Sequence, residues 1–143
     1  MKVLIDTNVV IDALTDREPW AQAAQELLRM AAMGTVRCCV TASQVTDIFY
    51  LLGRGGLGAA AAKAALKKLA GVLTVVGVAP ADVDDALASP MPDFEDALLA
   101  CCAKRQKATY VVTRDAKGFQ QSPVPALTPQ ALLDALGPNR AGA

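Results

Sequence analysis

The fold is decided by the stretch Val3-Leu4-Ile5-Asp6-Thr7-Asn8, in which a short apolar run ends on a carboxylate. Runs of this length that are rich in Val, Ile and Leu are typical of strands buried in a parallel sheet. The run Tyr110-Val111-Val112-Thr113 has the same character, and Asp115 follows it closely. Parallel strands end at one common edge of their sheet, where ligands bind. The sequence therefore predicts that Asp6 and Asp115 lie close together at a ligand-binding edge.

Strand-like and helix-like stretches alternate along the chain. Predicted strands cover 3–5, 36–40, 73–78 and 110–113, with a weaker fifth at 124–127. Predicted helices cover 20–33, 42–52, 59–70, 82–88, 94–107 and 130–136. Thr41 with Gln44 matches a capping box, and Thr128 stands as a cap before Pro129. This alternation predicts an α/β fold, with a mostly parallel sheet of four to five strands covered by helices on both faces.

Length and composition indicate one domain. The chain has 143 residues, of which 53% are hydrophobic, enough for a substantial core. We assign the domain to residues 1–137 and expect a flexible tail at 138–143, after the stop signal Gly137-Pro138. The short apolar run before Asp6 argues against a secretory signal peptide, and no apolar stretch approaches the roughly 20 residues that span a bilayer. The expected location is the cytoplasm, without membrane attachment.

The types of residue present restrict the chemistry. The chain contains no histidine, which excludes His-dependent triads and His-rich metal sites. Its four cysteines form the adjacent pairs Cys38-Cys39 and Cys101-Cys102 within apolar runs. Neighbouring strand residues point to opposite faces, so small buried apolar side chains are favoured over a zinc site. Clustered aspartates without histidine instead favour a hard cation such as Mg²⁺ or Mn²⁺.

Basic residues are concentrated in two regions although the formal net charge is zero. Between Asp47 and Asp82 every charged residue is basic, and a second group surrounds Asp115. The candidate RNA-binding residues are Arg54, Lys63, Lys67, Lys68 and Arg114. The zero net charge argues against a general nucleic-acid coat protein. An acidic cleft flanked by basic residues would instead suit a polyanionic substrate that is cleaved at bound metal ions. A solvated face on ordinary surface helices is the open alternative.

Each acidic residue also has a purely structural interpretation. Asp6-Thr7-Asn8 suits the start of a helix, and Asp93 is expected mainly to cap the helix that contains Asp96. Asp47 falls opposite the apolar stripe of its helix, and Asp115 lies where a turn aspartate is common. The functional interpretation depends on their coincidence at one edge of one predicted sheet.

Four strings in order and spacing resemble a PIN domain, and the resemblance covers the chain through Leu136. They are Asp6-Thr7-Asn8-Val9-Val10-Ile11-Asp12, Val45-Thr46-Asp47-Ile48-Phe49-Tyr50, Asp93-Phe94-Glu95-Asp96-Ala97 and Val112-Thr113-Arg114-Asp115. The chain is similar to the bacterial branch that includes toxins of toxin–antitoxin pairs and free-standing domains. The resemblance implies a Rossmann-like, three-layer α/β/α fold. It also implies an acidic quartet, supported by further side chains. The quartet is Asp6, Asp47, Asp96 and Asp115; the supporting residues are Thr7, Asn8, Asp93 and Thr113.

The resemblance further implies an Mg²⁺- or Mn²⁺-dependent endoribonuclease that acts on single-stranded or structured RNA and leaves 5′-phosphate and 3′-hydroxyl ends. Asp6 and Asp96 are the first-choice metal ligands, with Asp115 and Asp47 completing a second site or orienting water. Many relatives have Glu in place of Asp47, and others have Asn in place of Asp115. An antitoxin protein and a homodimer are the partners that the resemblance implies.

Other functions remain open on the residues. An aspartyl-phosphate phosphatase commonly has a second acid where this chain has Asn8, and a receiver-like domain has a lysine where this chain has Arg114 and Asp115. Dinucleotide binding lacks its glycine-rich turn after the first strand. The serious alternative is a non-catalytic PIN-like module that binds RNA or a protein through an impaired acidic site. Metal-dependent cleavage of single-stranded RNA distinguishes the two.

Overall fold

The computed structural model describes residues 1–137, which form an alternating series of strands and helices. The strands are β1 (Lys2–Ile5), β2 (Arg37–Thr41), β3 (Thr74–Val76), β4 (Tyr110–Val112) and β5 (Ala126–Leu127). The α-helices are α1 (Thr7–Leu14), α2 (Ala21–Ala32), α3 (Ala42–Leu52), α4 (Ala59–Ala70), α5 (Pro80–Ala88), α6 (Phe94–Arg105) and α7 (Pro129–Leu136). A π-helical segment, Gly53–Leu57, kinked at Gly56 where φ is 89°, joins α3 to α4, and a 3₁₀ turn, Ala116–Phe119, follows β4. The tail predicted at 138–143 lies outside the described residues.

The sheet has five parallel strands in the order β3-β2-β1-β4-β5. Its central pair is β1 and β4, in the register Val3 to Tyr110, Leu4 to Val111 and Ile5 to Val112. The chain adds strands on one side of β1 as far as β3, and then crosses to the other side with β4. The predicted α/β/α fold is confirmed, and every strand of the sheet is parallel.

Alternate strand residues point to opposite faces of the sheet and form two cores. Val3, Ile5 and Val112 pack with buried side chains of α1 to α4 and α7. Leu4 and Val111 pack on the other face, against α5 and α6. All four cysteines are buried and free, as predicted for small apolar residues. None of the helices within residues 1–137 is both long enough and apolar enough to cross a membrane.

Most predicted elements are present, with shifts at their ends. Helix α1 is an element of its own, whereas the sequence offers a helix start at Asp6 only as the structural alternative. Helix α5 begins at Pro80 rather than Asp82, because proline is tolerated in a first turn and the Asp82 side chain accepts from Ala79 N at 2.8 Å. Helix α6 ends at Arg105, two residues early, because Lys107 adopts a left-handed conformation with φ of 58°. Strand β3 is shorter than predicted, since its pairing with β2 ends at Val76.

Candidate active site

The candidate site lies at the carboxyl ends of β1 and β4, where the strand order changes direction. Asp6 follows β1, and Thr113 and Asp115 follow β4. The backbone holds the end of β1 to β4, because Asp6 N donates to Val112 O at 2.8 Å, and it holds the end of β4 to β5, because Thr113 N donates to Leu127 O at 2.9 Å. In open α/β sheets the crevice at such a switch point is where ligands bind.

Asp6 is both the cap of a helix and a member of the acidic site. Its Oδ1 accepts from Thr7 N at 2.8 Å at the start of α1, and its Oδ2 accepts from Thr113 Oγ1 at 2.8 Å. Burial raises the pKa of Asp6 above its ordinary value; the bonds from Thr113 and Thr7 oppose this, and repulsion from Asp115 and Asp93 adds to it. The structural and functional interpretations of Asp6 are therefore compatible.

Helix α6 brings Asp96 to the same edge. Its cap is Asp93, whose Oδ1 accepts from Asp96 N at 2.9 Å, as predicted. Burial, followed by repulsion from Asp93, Asp6, Asp115 and Glu95, raises the pKa of Asp96 to about 6 from 3.8. Carboxylates from three separate segments are thus close enough to destabilise one another's charges, which is the electrostatic condition that a bound cation relieves.

Asp115 and Asp96 converge on one point next to Gly118. A Cβ placed on Gly118 would lie 3.1 Å from Asp115 Oδ2 and 3.4 Å from Asp96 Oδ2. Only a residue without a side chain leaves both oxygens undisturbed in this position. Asp115 is oriented by its backbone, since its N–H donates to Thr113 Oγ1 at 3.1 Å. The same threonine hydroxyl therefore contacts two members of the acidic site.

Asp47 lies at the margin of this cluster. It is exposed on α3, on the side away from the buried residues Gln44 and Ile48, as its periodicity predicts. Its charge acts on Glu95: partial loss of solvent around that carboxyl raises the pKa of Glu95, and repulsion from Asp47, Asp93 and Asp6 adds to the rise. The structure therefore brings Asp6, Asp96 and Asp115 together, and Glu95 is close enough to both Asp6 and Asp47 to be affected by their charges.

A buried glutamine fixes α3 against the end of β1. Gln44 Nε2 donates to Ile5 O at 2.8 Å and to Thr7 Oγ1 at 3.2 Å, while its Oε1 accepts from Thr41 N at 2.7 Å. The predicted capping box of Thr41 and Gln44 is confirmed, with both reciprocal bonds present. Through this contact, Thr7 connects Gln44 to the segment that contains Asp6.

Asn8 and Arg114 form the other wall of the acidic edge. Asn8 Oδ1 accepts from Arg114 N at 3.3 Å. The Arg114 guanidinium points to Asp12, with Nε and Nη2 each 3.0 Å from a carboxylate oxygen. It also lies over the Trp20 ring, 4.2 Å from the ring centre. Arg114 therefore holds a carboxylate that is outside the predicted quartet.

The other candidate RNA-binding residues form a separate exposed group. Arg54 lies in the π-helical segment, and Lys63, Lys67 and Lys68 lie on α4. Helix α4 packs against α3, the helix that contains Asp47.

The donor set suits a hard divalent cation, although its carboxylates are spread along the edge. Within residues 1–137 no group of three or more Asp, Glu or Cys side chains is already arranged to hold a metal ion. The convergence of Asp96 and Asp115 oxygens beside Gly118 provides an oxygen-only cradle, which Mg²⁺ and Mn²⁺ prefer. Mutual repulsion between carboxylates favours this wider spacing. The residues therefore fit the group chemically.

A model of the PIN domain family matches residues 2–117. The chain belongs to this family. No curated protein matches it by sequence. Among solved structures it resembles VapBC2 from Rickettsia felis bound to a promoter DNA fragment, with a TM-score of 0.71 and 14% identity over 90% of this chain and 98% of that chain.

Further structures share the fold of this PIN domain. DNA-bound VapBC from Salmonella typhimurium has a TM-score of 0.68 and 16% identity, with 90% of this chain and 98% of that chain covered. The sarcin-ricin loop cleaving toxin VapC20 from Mycobacterium tuberculosis has a TM-score of 0.60 and 18% identity, with 76% and 86% covered. At these identities the likeness shows the fold.

Three residues at or next to the candidate site of this PIN domain, Glu95, Asp12 and Trp20, are not singled out by sequence patterns alone. Glu95 stands inside the string Asp93-Phe94-Glu95-Asp96, where its place beside Asp96 is the available signal. Asp12 ends the string that begins at Asp6, one helical turn beyond Asn8. Trp20 has no such signal, because its contact with Arg114 joins positions far apart in the chain.

Proposed function

We propose that this PIN domain is a metal-dependent endoribonuclease that hydrolyses phosphodiester bonds in single-stranded or structured RNA. The observation that carries the proposal is that Asp6, Asp96 and Asp115 come together at the switch point of the sheet, with oxygens of Asp96 and Asp115 meeting beside Gly118. Burial, followed by repulsion from Asp93, Asp6, Asp115 and Glu95, raises the pKa of Asp96 to about 6. Helix capping alone does not require several carboxylates to crowd at a ligand-binding edge, where their repulsion raises the free energy of the folded protein. Bound Mg²⁺ or Mn²⁺ would offset that repulsion.

Asp6, Asp96 and Asp115 would hold the ion, and Asp47 would contribute through water or at a second position. A divalent ion there supplies an activated water and stabilises charge on the phosphoryl oxygens. Thr113 orients Asp6 and Asp115, and Gln44 fixes α3 relative to β1. Glu95 adds negative charge between Asp96 and Asp47. Asn8 holds the segment Thr113–Asp115 through Arg114 N.

The test is cleavage of an end-labelled single-stranded RNA by the purified chain, with Mg²⁺, with Mn²⁺ and with a chelator. We expect cleavage only with the metals, and products with 5′-phosphate and 3′-hydroxyl ends. Asp6→Asn and Asp96→Asn should each abolish cleavage while leaving the circular dichroism spectrum unchanged. Full activity in either variant rejects the metal assignment.

A second candidate is a non-catalytic module that binds RNA or protein. The observation that favours it is that the described residues hold no ready-made group of three metal ligands. The two proposals differ in calorimetry: a nuclease site takes up Mn²⁺ and loses this uptake in Asp96→Asn, whereas an impaired site shows no such difference. Calorimetry does not depend on the choice of RNA, so an unsuitable substrate does not affect the result.

The proposed cellular role is that of a toxin in a toxin–antitoxin pair in the cytoplasm. The support is family membership together with the fold shared with proteins named VapBC and VapC20. A short upstream reading frame that encodes a DNA-binding protein, whose product co-purifies with this chain, supports an antitoxin; a gene without such a neighbour favours a free-standing nuclease.

A homodimer is part of the same proposal. Several large apolar side chains are exposed, among them Tyr50 at 62%, Leu87 at 70% and Phe94 at 46%. Burial of such side chains in a symmetric interface would remove them from water. Sedimentation at micromolar concentration should show a dimer, and a monomer alone rejects this part of the proposal.

A further inference from the structure

A cavity of about 340 Å³ is lined by Arg114, whose chain neighbours Thr113 and Asp115 belong to the acidic edge. Trp20 and Arg114 form one part of its wall, and Gln22 and Gln130 lie around it. The volume falls within the range of small-molecule sites, which combine flat apolar surfaces with a few polar groups. None of the acidic residues proposed to hold metal lines this cavity, so it is distinct from the metal site.

Trp20, in the wall of this cavity, forms a cation–π stack with two arginines. Arg114 lies 4.2 Å from the centre of the Trp20 ring, and Arg17 lies 5.6 Å from it. Asp12, whose side chain is 1% exposed, fixes the Arg114 guanidinium through two bonds of 3.0 Å. Flat aromatic and guanidinium surfaces are the platforms on which proteins stack unpaired nucleobases. Trp20 remains 38% exposed and the Arg114 side chain 27% exposed, so a base would stack on the part of this pair that the Arg–Trp contact leaves open.

Hydrogen-bonding groups remain available around the stack. Arg114 uses Nε and Nη2 for Asp12, and within residues 1–137 its Nη1 donates no hydrogen bond. Gln130 uses its Nε2 for Asp134, which leaves its carbonyl oxygen to accept. Amide and guanidinium groups recognise the edges of bases, and Arg17 adds positive charge for a neighbouring phosphate. The chemistry is therefore that of a nucleotide with its base unstacked.

We propose that this cavity, walled by Trp20 and Arg114, is a subsite for one unpaired nucleobase of the RNA, next to the phosphodiester held at the acidic edge. The inference rests on the proposed nuclease function for its substrate class. The connection between the sites is direct, because Arg114 N donates to Asn8 Oδ1 and Arg114 stands between Thr113 and Asp115. The preferred substrates are then loops and single strands, since a base within a duplex does not reach the stack.

Trp20 is the only tryptophan of the chain, so its fluorescence reports on this subsite alone. The metal-free protein, in chelator so that RNA stays intact, is titrated with a single-stranded RNA and with an abasic ribose-phosphate chain of equal length and charge. We expect saturable quenching by the RNA and none by the abasic chain. Equal quenching by both, or by neither, overturns the subsite.

Anisotropy of the labelled RNA gives the matched test in variants. Trp20→Ala should weaken RNA binding by about ten-fold and leave binding of the abasic chain unchanged, because stacking on an aromatic ring is lost. Trp20→Phe should retain most of the affinity for RNA. Arg17→Ala should weaken binding of both chains, whereas Arg37→Ala, which removes an exposed arginine at the start of β2, should weaken neither. An equal loss for RNA and abasic chain in Trp20→Ala rejects base recognition.

The outcomes separate the two proposals. Base-dependent quenching without metal-dependent cleavage would reject the nuclease and retain the subsite. Metal-dependent cleavage without base-dependent quenching would reject the subsite and retain the nuclease.

Discussion

The hydroxyl of Thr113 donates a hydrogen bond of 2.8 Å to Oδ2 of Asp6, and this bond joins the ends of β4 and β1 across the switch point. Thr113 is fully buried, so the bond is protected from water. Burial raises the pKa of Asp6, and the Thr113 bond is the largest influence that opposes this rise. Thr113 therefore favours the ionised form of Asp6 and orients its carboxylate.

We expect Thr113→Val to raise the pKa of Asp6 further and to lower cleavage by about ten-fold, because a hydrogen bond to a charged group is lost. Valine keeps the shape of threonine, so the sheet should remain intact. Carboxyl NMR titration of the metal-free protein measures the pKa. Thr113→Ser, which retains the hydroxyl, is the control. An unchanged pKa in Thr113→Val would contradict the assigned role.

The raised pKa of Asp96 predicts a stability change that depends on pH. Its folded pKa is about 6, above the ordinary 3.8, so the folded protein holds this proton more tightly than the unfolded chain. Below pH 3.8 Asp96 is protonated in both the folded and the unfolded state, so its raised pKa does not affect stability. Between pH 3.8 and about 6 the loss of stability grows with pH, and above about 6 it is complete. Asp96→Asn should raise the free energy of unfolding near neutral pH by on the order of 1 kcal/mol, because solvent screens this partly exposed carboxyl and reduces the cost below that of the full pKa shift.

Urea unfolding in chelator, over a series of pH values, measures this gain. It should disappear as the pH falls to the ordinary aspartate pKa. Asp84→Asn removes an equal charge from an exposed position on α5, away from the acidic edge, and should give no comparable gain. If both variants show the same pH profile, the repulsion at Asp96 is not the cause.

Gly118 tests whether the carboxylates must converge. Gly118→Ala would place a Cβ 3.1 Å from Asp115 Oδ2 and 3.4 Å from Asp96 Oδ2. We expect the carboxylates to separate, so that calorimetry shows weaker Mn²⁺ binding while the unfolding free energy changes little. Gly53→Ala is the control, because a Cβ on Gly53 would meet no atom within 4 Å. Equal Mn²⁺ affinity in the two variants would show that this convergence is unimportant.

The sequence predicted the parts of the site that short-range patterns determine. The strand ends at Asp6 and Asp115 follow from apolar runs, and the cap at Asp93 follows from its spacing to Asp96. The position of Asp47 relative to the other acidic residues could not be predicted, because helical periodicity shows which side of α3 is exposed but not which residues of other elements lie near that side. The pairing of Asp12 with Arg114 depends on the packing of α1 beside the end of β4, which no local pattern encodes.

Because Arg114 pairs with the buried Asp12, we expect Arg114 to contribute to the stability of the fold as well as to lie beside Asp115. Arg114→Ala leaves Asp12 buried without its partner, and we expect a loss of about 3 kcal/mol in the free energy of unfolding. A neutral amide needs no opposite charge beside it, so Asp12→Asn in the Arg114→Ala protein should restore part of the lost stability. Urea unfolding of the single and double variants measures both effects. Additive losses would show that the two residues do not depend on each other.

The basic group on the π-helical segment and α4 predicts how RNA affinity depends on salt. If Arg54, Lys63, Lys67 and Lys68 contact the RNA backbone, replacing Lys67 and Lys68 by Gln should weaken binding of all sequences alike, and the fall of affinity with salt should become shallower because fewer counterions are released. Single-turnover cleavage at saturating enzyme should be unchanged, since within residues 1–137 these side chains form no salt bridge with the acidic residues. Replacing Arg29 and Arg37 by Gln removes the same charge: Arg29 pairs with Glu26, and Arg37 is exposed at the start of β2. An equal change in salt dependence for both pairs would show that only net charge matters, and a slower chemical step in the Lys67 and Lys68 variant would place these lysines at the site of cleavage.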